Sequence, residues 1–349
     1  MLSLDLRALK ALYIITTSAF LSFLIVFYSH HMVASDVIHS LVSAFPFTND
    51  KPVPAESTFD TNTIELILGN HNEEPILGDH DIELVVASLK EQNTSWYSVY
   101  FPDWKHNIYI VNDLTASLTV PRNKGHEAMV YLTYIIDRYD NLPNNTVFLH
   151  ADRFQWHNDN PDYDGVPLLR DLQFAYLQEE GYVNLRCVWV LGCPAAIHPF
   201  NDEAISDEHN EQATGEIFRQ VFEELLPGHP VPTEVGVSCC SQFAATREAI
   251  QQRPKDDYIR FREWLLNTPF QDGLSGRFFE YSWHIIFGKD PVYCPSAADC
   301  YCKVYGMCDL PNCTTGECKG RYNLPPYATL PDGWPRVGWN GEERPFSGP

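Results

Sequence analysis

The sequence predicts an α/β protein: a mainly parallel sheet flanked by helices, with a transmembrane helix before it and a Cys-rich segment after it. Three observations carry this. Short apolar runs of strand length alternate with stretches of helical periodicity. An uncharged stretch near the N-terminus approaches the span of a bilayer. Six of the ten cysteines crowd between Cys294 and Cys318.

Composition narrows the class. The chain has 349 residues, 44% hydrophobic and 20% charged, enough for a sizeable core and unlike a disordered chain. Against 24 Lys+Arg stand 46 Asp+Glu, a net charge of -22. No Lys/Arg block occurs, which excludes a nucleic-acid partner. Aromatic residues at 13% and 25 prolines suit a loop-rich, ligand-contacting globule rather than a coiled coil or a repeat array.

The elements follow in order. Ala11 to Tyr28 carries no charge, with Arg7 and Lys10 just before it and the next basic residue at Lys51. The excess of positive charge on the N-terminal side predicts a cytoplasmic tail at 1–8, a transmembrane signal anchor at 9–29 and a single-pass type II topology. The body then lies in the lumen of the ER or Golgi. A cleaved signal peptide is the competing reading, and it also sends the body into the secretory pathway. Residues 30–80, rich in Asp, Glu, Asn, Pro and Thr, read as a stem. Asn93-Thr-Ser, Asn144-Asn-Thr and Asn312-Cys-Thr are possible glycan acceptors, which makes the chain a candidate glycoprotein.

The α/β domain spans 81–293. Ile82 to Ser88 reads as a buried strand and Asn107 to Asn112 as a second. Ala128, Leu132, Ile135 and Tyr139 mark one face of a helix. After a turn at Asn141 to Asn145, Thr146 to Leu149 is a third strand. Further strands are predicted over Val183–Leu191 and Glu234–Cys240. Helices are predicted around Ile217–Leu226, Arg247–Ile250 and Asp256–Leu266, and over Gly276–Gly288. Residues 294–320 lack the Cys-x-x-Cys pairs of a zinc site and read as a small disulfide knot of open connectivity. Cys187, Cys193, Cys239 and Cys240 are available for further bridges, and 321–349 is a Pro/Gly-rich tail.

Ligands of parallel sheets sit beyond the carboxyl ends of the strands. The densest polar cluster begins at such an end: His150, Asp152, Arg153, Trp156, His157, Asp159, Asp162 and Asp164. Carboxylates with one or two imidazoles suit a divalent cation, Mn2+ or Mg2+, that would hold a diphosphate. On the predicted Gly276–Gly288 helix, Glu280, Trp283 and His284 share one face, offering a base or a further metal ligand. A Gly-x-Gly-x-x-Gly loop, a P-loop and a Gly-x-Ser-x-Gly elbow are absent. His126-Glu127 lacks the second His of a metalloprotease helix.

The ordered motifs Leu84-Val-Val-Ala-Ser, Asn123-Lys-Gly-His-Glu-Ala-Met-Val-Tyr-Leu-Thr-Tyr-Ile-Ile, Val147-Phe-Leu-His-Ala-Asp-Arg, Trp156-His-Asn-Asp and Gly181-Tyr-Val-Asn-Leu-Arg-Cys resemble the fungal domain of unknown function 3431 over roughly residues 80–305. Their pattern is also similar to GT-A glycosyltransferases, in which His150-Ala-Asp152 stands where Asp-x-Asp is usual and Asp162-Tyr-Asp164 repeats the literal motif later. Phe243-Ala-Ala-Thr-Arg-Glu and Glu280-Tyr-Ser-Trp-His-Ile-Ile-Phe resemble the acceptor half of such enzymes. The resemblance implies a metal-dependent transfer from a nucleotide-sugar donor to a glycan or small-molecule acceptor. Asp152, with His150 or His284, would hold the cation. Asn112, Asp113, Arg153, Trp156 and His157 would contact the donor, and Glu280 would be the base. Two other expectations compete: a tailoring oxidase with His150, His157 and Asp159 as ligands, and a non-catalytic lumenal binding module.

Overall fold

Five strands form the central sheet of the computed structural model, which describes residues 81–200, 211–324 and 329–346. The predicted anchor at 9–29 and stem at 30–80 lie outside the described residues. Among the described residues no helix is long and apolar enough to cross a membrane.

The sheet contains β1 (Ile82–Ser88), β2 (Lys105–Ile110), β3 (Asn145–His150), β4 (Tyr182–Asn184) and β6 (Phe243–Thr246), in the order β2-β1-β3-β6-β4. β1 pairs parallel with β2 (Ser88 opposite Ile110) and with β3 (Ala87 opposite His150). β6 runs antiparallel to β3 and β4, so the sheet is mostly parallel, as predicted. A separate parallel pair joins β5 (Gly236–Val237) to β7 (Val292–Tyr293).

The two-residue period of the strands sorts their side chains to two faces. Val85, Phe148, Tyr182 and Phe243 join one core with helices α2 (Ala128–Arg138), α7 (Lys255–Asn267) and α8 (Asp272–Glu280). Leu84, Val86, Val147, Leu149 and Ala244 join the other core with α1 (Ser95–Tyr100), α3 (Gly165–Asp171) and α10 (Ala297–Tyr305). Helix α2 is buried over Ala128–Ile136, because it lies between the sheet and α7. Trimming a ring such as Phe148 to Ala would cost about 3–5 kcal/mol. The remaining helices are α4 (Phe174–Glu180), α5 (Glu211–Leu225), α6 (Arg247–Gln251) and α9 (Trp283–Ile286).

Several expectations are corrected. The strand predicted over Val183–Leu191 ends at Asn184, whose side-chain oxygen accepts from Arg186 N at 2.8 Å and turns the chain out of the sheet. Only Gly236–Val237 of the Glu234–Cys240 run pairs as strand. The predicted helix Gly276–Gly288 is two helices. The hydroxyl of Ser282 donates to the Phe278 carbonyl at 2.6 Å, and the backbone of Ser282 leaves helical geometry between α8 and α9. Glu280 and His284 therefore do not share a helix face.

The C-terminal cysteines do not form a self-contained knot. Cys302–Cys308 and Cys313–Cys318 close locally, whereas Cys294 reaches Cys193 and Cys300 reaches Cys187. The segment is thus stapled to the α/β body. The tail packs too: Tyr322 and Leu324 are buried, and Trp334 Nε1 donates to the Asp162 carbonyl at 2.8 Å. Asn93, Asn144 and Asn312 are all exposed.

Candidate functional site

The chain leaves β1 toward β2 on one side and returns to β3 on the other, which opens a crevice above the carboxyl end of β1. A groove of about 430 Å³ occupies it. Its titratable lining is His126, Glu127, His150, Asp152, His157 and Asp272.

One wall is the end of β3. The Tyr97 hydroxyl donates to the His150 carbonyl at 2.6 Å, and Trp96 Nε1 donates to the Ala151 carbonyl at 2.9 Å. These two aromatic residues of α1 hold the 150–152 backbone. Asp152 Oδ2 accepts from Gln92 Nε2 at 2.8 Å. The His150 and His157 rings lie 4.6 Å apart. His150 Nε2 is buried and has no hydrogen-bond partner. His157 Nδ1 meets Gln155 Oε1 at 3.1 Å. Burial, with the Arg186 guanidinium adding to it, pushes His157 down to about 2, so its imidazole is neutral at physiological pH.

The opposite wall is the turn into α2. Gly125 (φ 68°) and His126 (φ 53°) are both left-handed. Glycine suits the first of these positions, because it adopts positive φ freely and a Cβ would stand 2.6 Å from Leu265 Cδ1 and force that side chain to move. Asp272 Oδ1 accepts from Gly125 N at 3.1 Å, and Lys124 Nζ donates to the Phe270 carbonyl at 2.7 Å. Helix α8 comes close through Gly276, where a Cβ would lie 2.7 Å from His126 Cδ2. At the end of that helix Glu280 Oε1 accepts from Cys240 N at 2.7 Å. Burial pushes the Glu280 carboxyl up, and the Glu127 carboxylate adds to the rise. A carboxyl raised in this way can exchange a proton nearer neutrality.

The Asp-rich loop after β3 is mostly committed to structure. Asp159 is fully buried. Its Oδ2 accepts from Cys187 N (2.7 Å) and Val188 N (3.0 Å), and its Oδ1 accepts from the Tyr301 hydroxyl. Asp164 caps α3 through Val166 N and pairs with Arg153 at 2.7 and 2.9 Å. Asp162 pairs with Arg344. The Asp162-Tyr-Asp164 carboxylates thus face different partners and make no common site. Asp159 is not available to complete a ligand set with His150 and His157. Asp152 is the carboxylate of this loop that lines the groove.

Of the other candidates, Arg153 is held by Asp164 and stacked over the Tyr100 and Phe154 rings, outside the groove lining. Trp156 contacts the His157 ring and the Arg186 guanidinium and is not part of the groove lining. Asn112 accepts from Lys90 N at 2.9 Å and donates to Glu91, and Asp113 pairs with Lys90 at 2.8 Å. They tie the loops after β1 and β2 together beside the groove. His284 is fully buried with Nε2 against the Pro291 carbonyl at 2.9 Å, and burial pushes it down to about 4. It stands apart from His150 and Asp152 and does not complete a metal site with them. His126, Glu127 and Asp272 were missed by sequence reasoning. The available signal was Gly125 directly before His126-Glu127, which marks a turn ahead of the helix rather than its first residues.

The family model described as "Protein of unknown function (DUF3431)" matches residues 84–303, and the chain belongs to this family. No curated protein and no solved structure matches it.

Proposed function

We propose that the groove binds a nucleotide-diphosphate sugar, and that the chain transfers the sugar to a hydroxyl of a glycan or small-molecule acceptor. The observation that carries this reading is His150 Nε2, buried and unpartnered at the strand end beside Asp152, in a groove also lined by Glu127, whose carboxylate acts on the neighbouring Glu280. An imidazole nitrogen and a carboxylate suit a borderline divalent cation such as Mn2+. Asp152 and His150 would hold it, and when bound it would neutralise the charge of a departing diphosphate. Glu280 takes the proton from the acceptor hydroxyl, helped by a carboxyl already biased toward holding one. The turn at Gly125–His126 shapes the acceptor side.

All ten cysteines are bridged, which supports an oxidising compartment. The proposal therefore keeps the body in the ER or Golgi lumen, anchored through 9–29.

Asp152→Asn keeps the shape and removes the charge. Transfer is expected to fall about a hundredfold or more. Calorimetric titration of Mn2+ and a nucleoside diphosphate should show binding to the native chain and to Asp162→Asn, but not to Asp152→Asn. Equal binding by all three would remove Asp152 from the mechanism. No binding by any of them would favour a non-catalytic module.

A further inference from the structure

Cys239 and Cys240 are neighbours in sequence, bridged to each other, and both are buried. Cys240 has φ 91° and the next residue, Ser241, has φ 48°. Two successive non-glycine residues in left-handed conformations are disfavoured by contact of the Cβ with the backbone, so the surrounding structure must hold them there. At this turn Cys240 N–H reaches Glu280 Oε1 at 2.7 Å. The surroundings hold the turn from two other sides. Arg186 Nη1 donates to Cys240 Sγ at 3.4 Å, and the Tyr131 hydroxyl donates to the Ser241 carbonyl at 3.1 Å. Both sulfurs and a Glu280 oxygen lie within 4.8 Å of one another. Because the sulfurs are bonded to each other they offer no thiolate, so the cluster in this state is not a cation site.

We propose that the Cys239–Cys240 bridge is the positioning element of Glu280: the ring it closes across one peptide bond holds Cys240 in the conformation that aims its N–H at the carboxyl. The inference rests on the proposed function only in taking Glu280 as the base. The geometry stands without it. The groups facing Glu280 are Glu127 and His126 from the turn before α2, Arg277 on its own helix and the Cys240 amide. Burial and Glu127 favour the protonated form, whereas the Cys240 N–H, Arg277 and His126 favour the anion. Loss of the aligned N–H should therefore let Glu280 keep its proton to higher pH.

Two double variants test this. C239A/C240A removes the bridge and leaves an alanine that disfavours positive φ. C239A/C240G also removes it, but glycine adopts that φ freely. The readout is the carboxyl vibration of Glu280, identified by its disappearance in Glu280→Gln and followed against pH by infrared difference spectroscopy. It needs no substrate, so it reports on positioning even if the proposed transfer fails. An upward shift of the midpoint in C239A/C240A, with return toward the native value in C239A/C240G, is the expected result. An unmoved or lowered midpoint in C239A/C240A, or equal midpoints in the two variants, would overturn the proposal. If C239A/C240A does not fold, C239A/C240G decides: a folded protein with the native midpoint supports it, and a displaced midpoint refutes it.

Discussion

Glu83 and Glu280 are the same side chain set into opposite ends of one fold, and they are driven in opposite directions. Glu83 lies near the amino end of β1, nearly inaccessible, and accepts from Lys105 (2.6 Å), Arg138 (2.9 Å), Asn107 (2.8 Å) and the Tyr134 hydroxyl (2.9 Å). Burial opposes its ionisation, but the bonds from Lys105, Asn107 and Tyr134 outweigh it and hold the carboxyl below its ordinary value. Glu280, beside the groove, accepts one amide and faces another carboxylate, so burial prevails and the carboxyl rises. Burial alone does not set the charge of a glutamate. The count and sign of the groups brought to it do. The amino end favours the charged carboxylate, and the groove end favours the protonated carboxyl.

The strongest way to break this comparison is Glu83→Gln. It leaves Lys105 and Arg138 without their anion and should cost about 3 kcal/mol in denaturant unfolding. That is the low end for a buried pair, because Lys105 is half exposed. A loss under about 1 kcal/mol would make the cluster no better than a surface pair. Next is Tyr134→Phe, which removes one neutral donor and should cost about 1.5 kcal/mol while the ion pairs persist.

The smallest expected effect sharpens the contrast through pH. The folded pKa of Glu83 is lowered, so its contribution is present above the unfolded carboxylate range and is lost as pH falls through the folded value. The folded pKa of Glu280 is raised, so stability declines as pH rises from the unfolded value through the folded one. Glu280→Gln should therefore melt slightly higher than the native chain at neutral pH, with the gain vanishing in acid. Glu83→Gln should melt lower at neutral pH, and its deficit should shrink in acid. A melting temperature lowered at neutral pH in both variants would show that Glu280 is a structural anion like Glu83.

Much of the frame was readable from local pattern. β1, β3 and α2 are apolar runs with the period of their element, and each lies where that period predicts. β6 is only four residues long and carries no alternation that would separate it from a turn. The continuous Gly276–Gly288 helix failed at Ser282, where a side-chain hydroxyl competes for a backbone carbonyl. At the site, His150, Asp152 and His157 were found because they follow directly from a strand end. His126, Glu127 and Asp272 were not, because another turn and another helix bring them to the same groove.

The sequence by itself determined the sheet-forming runs, the acidic balance, the abundance of cysteine and the place where polar residues leave β3. Only the tertiary structure decided what each polar residue became. Asp159, Asp162 and Asp164 look alike along the chain. They differ because Cys187 and Tyr301, Arg344 and Arg153 respectively arrive from elsewhere to bind them. Asp152 receives Gln92 and keeps its place in the groove. The charge on Glu280 likewise depends on Cys240 and Glu127, which lie far from it in sequence and close in space. Electrostatic and hydrogen-bond energies depend on distances through the folded interior, and those distances are not a property of the linear order of residues.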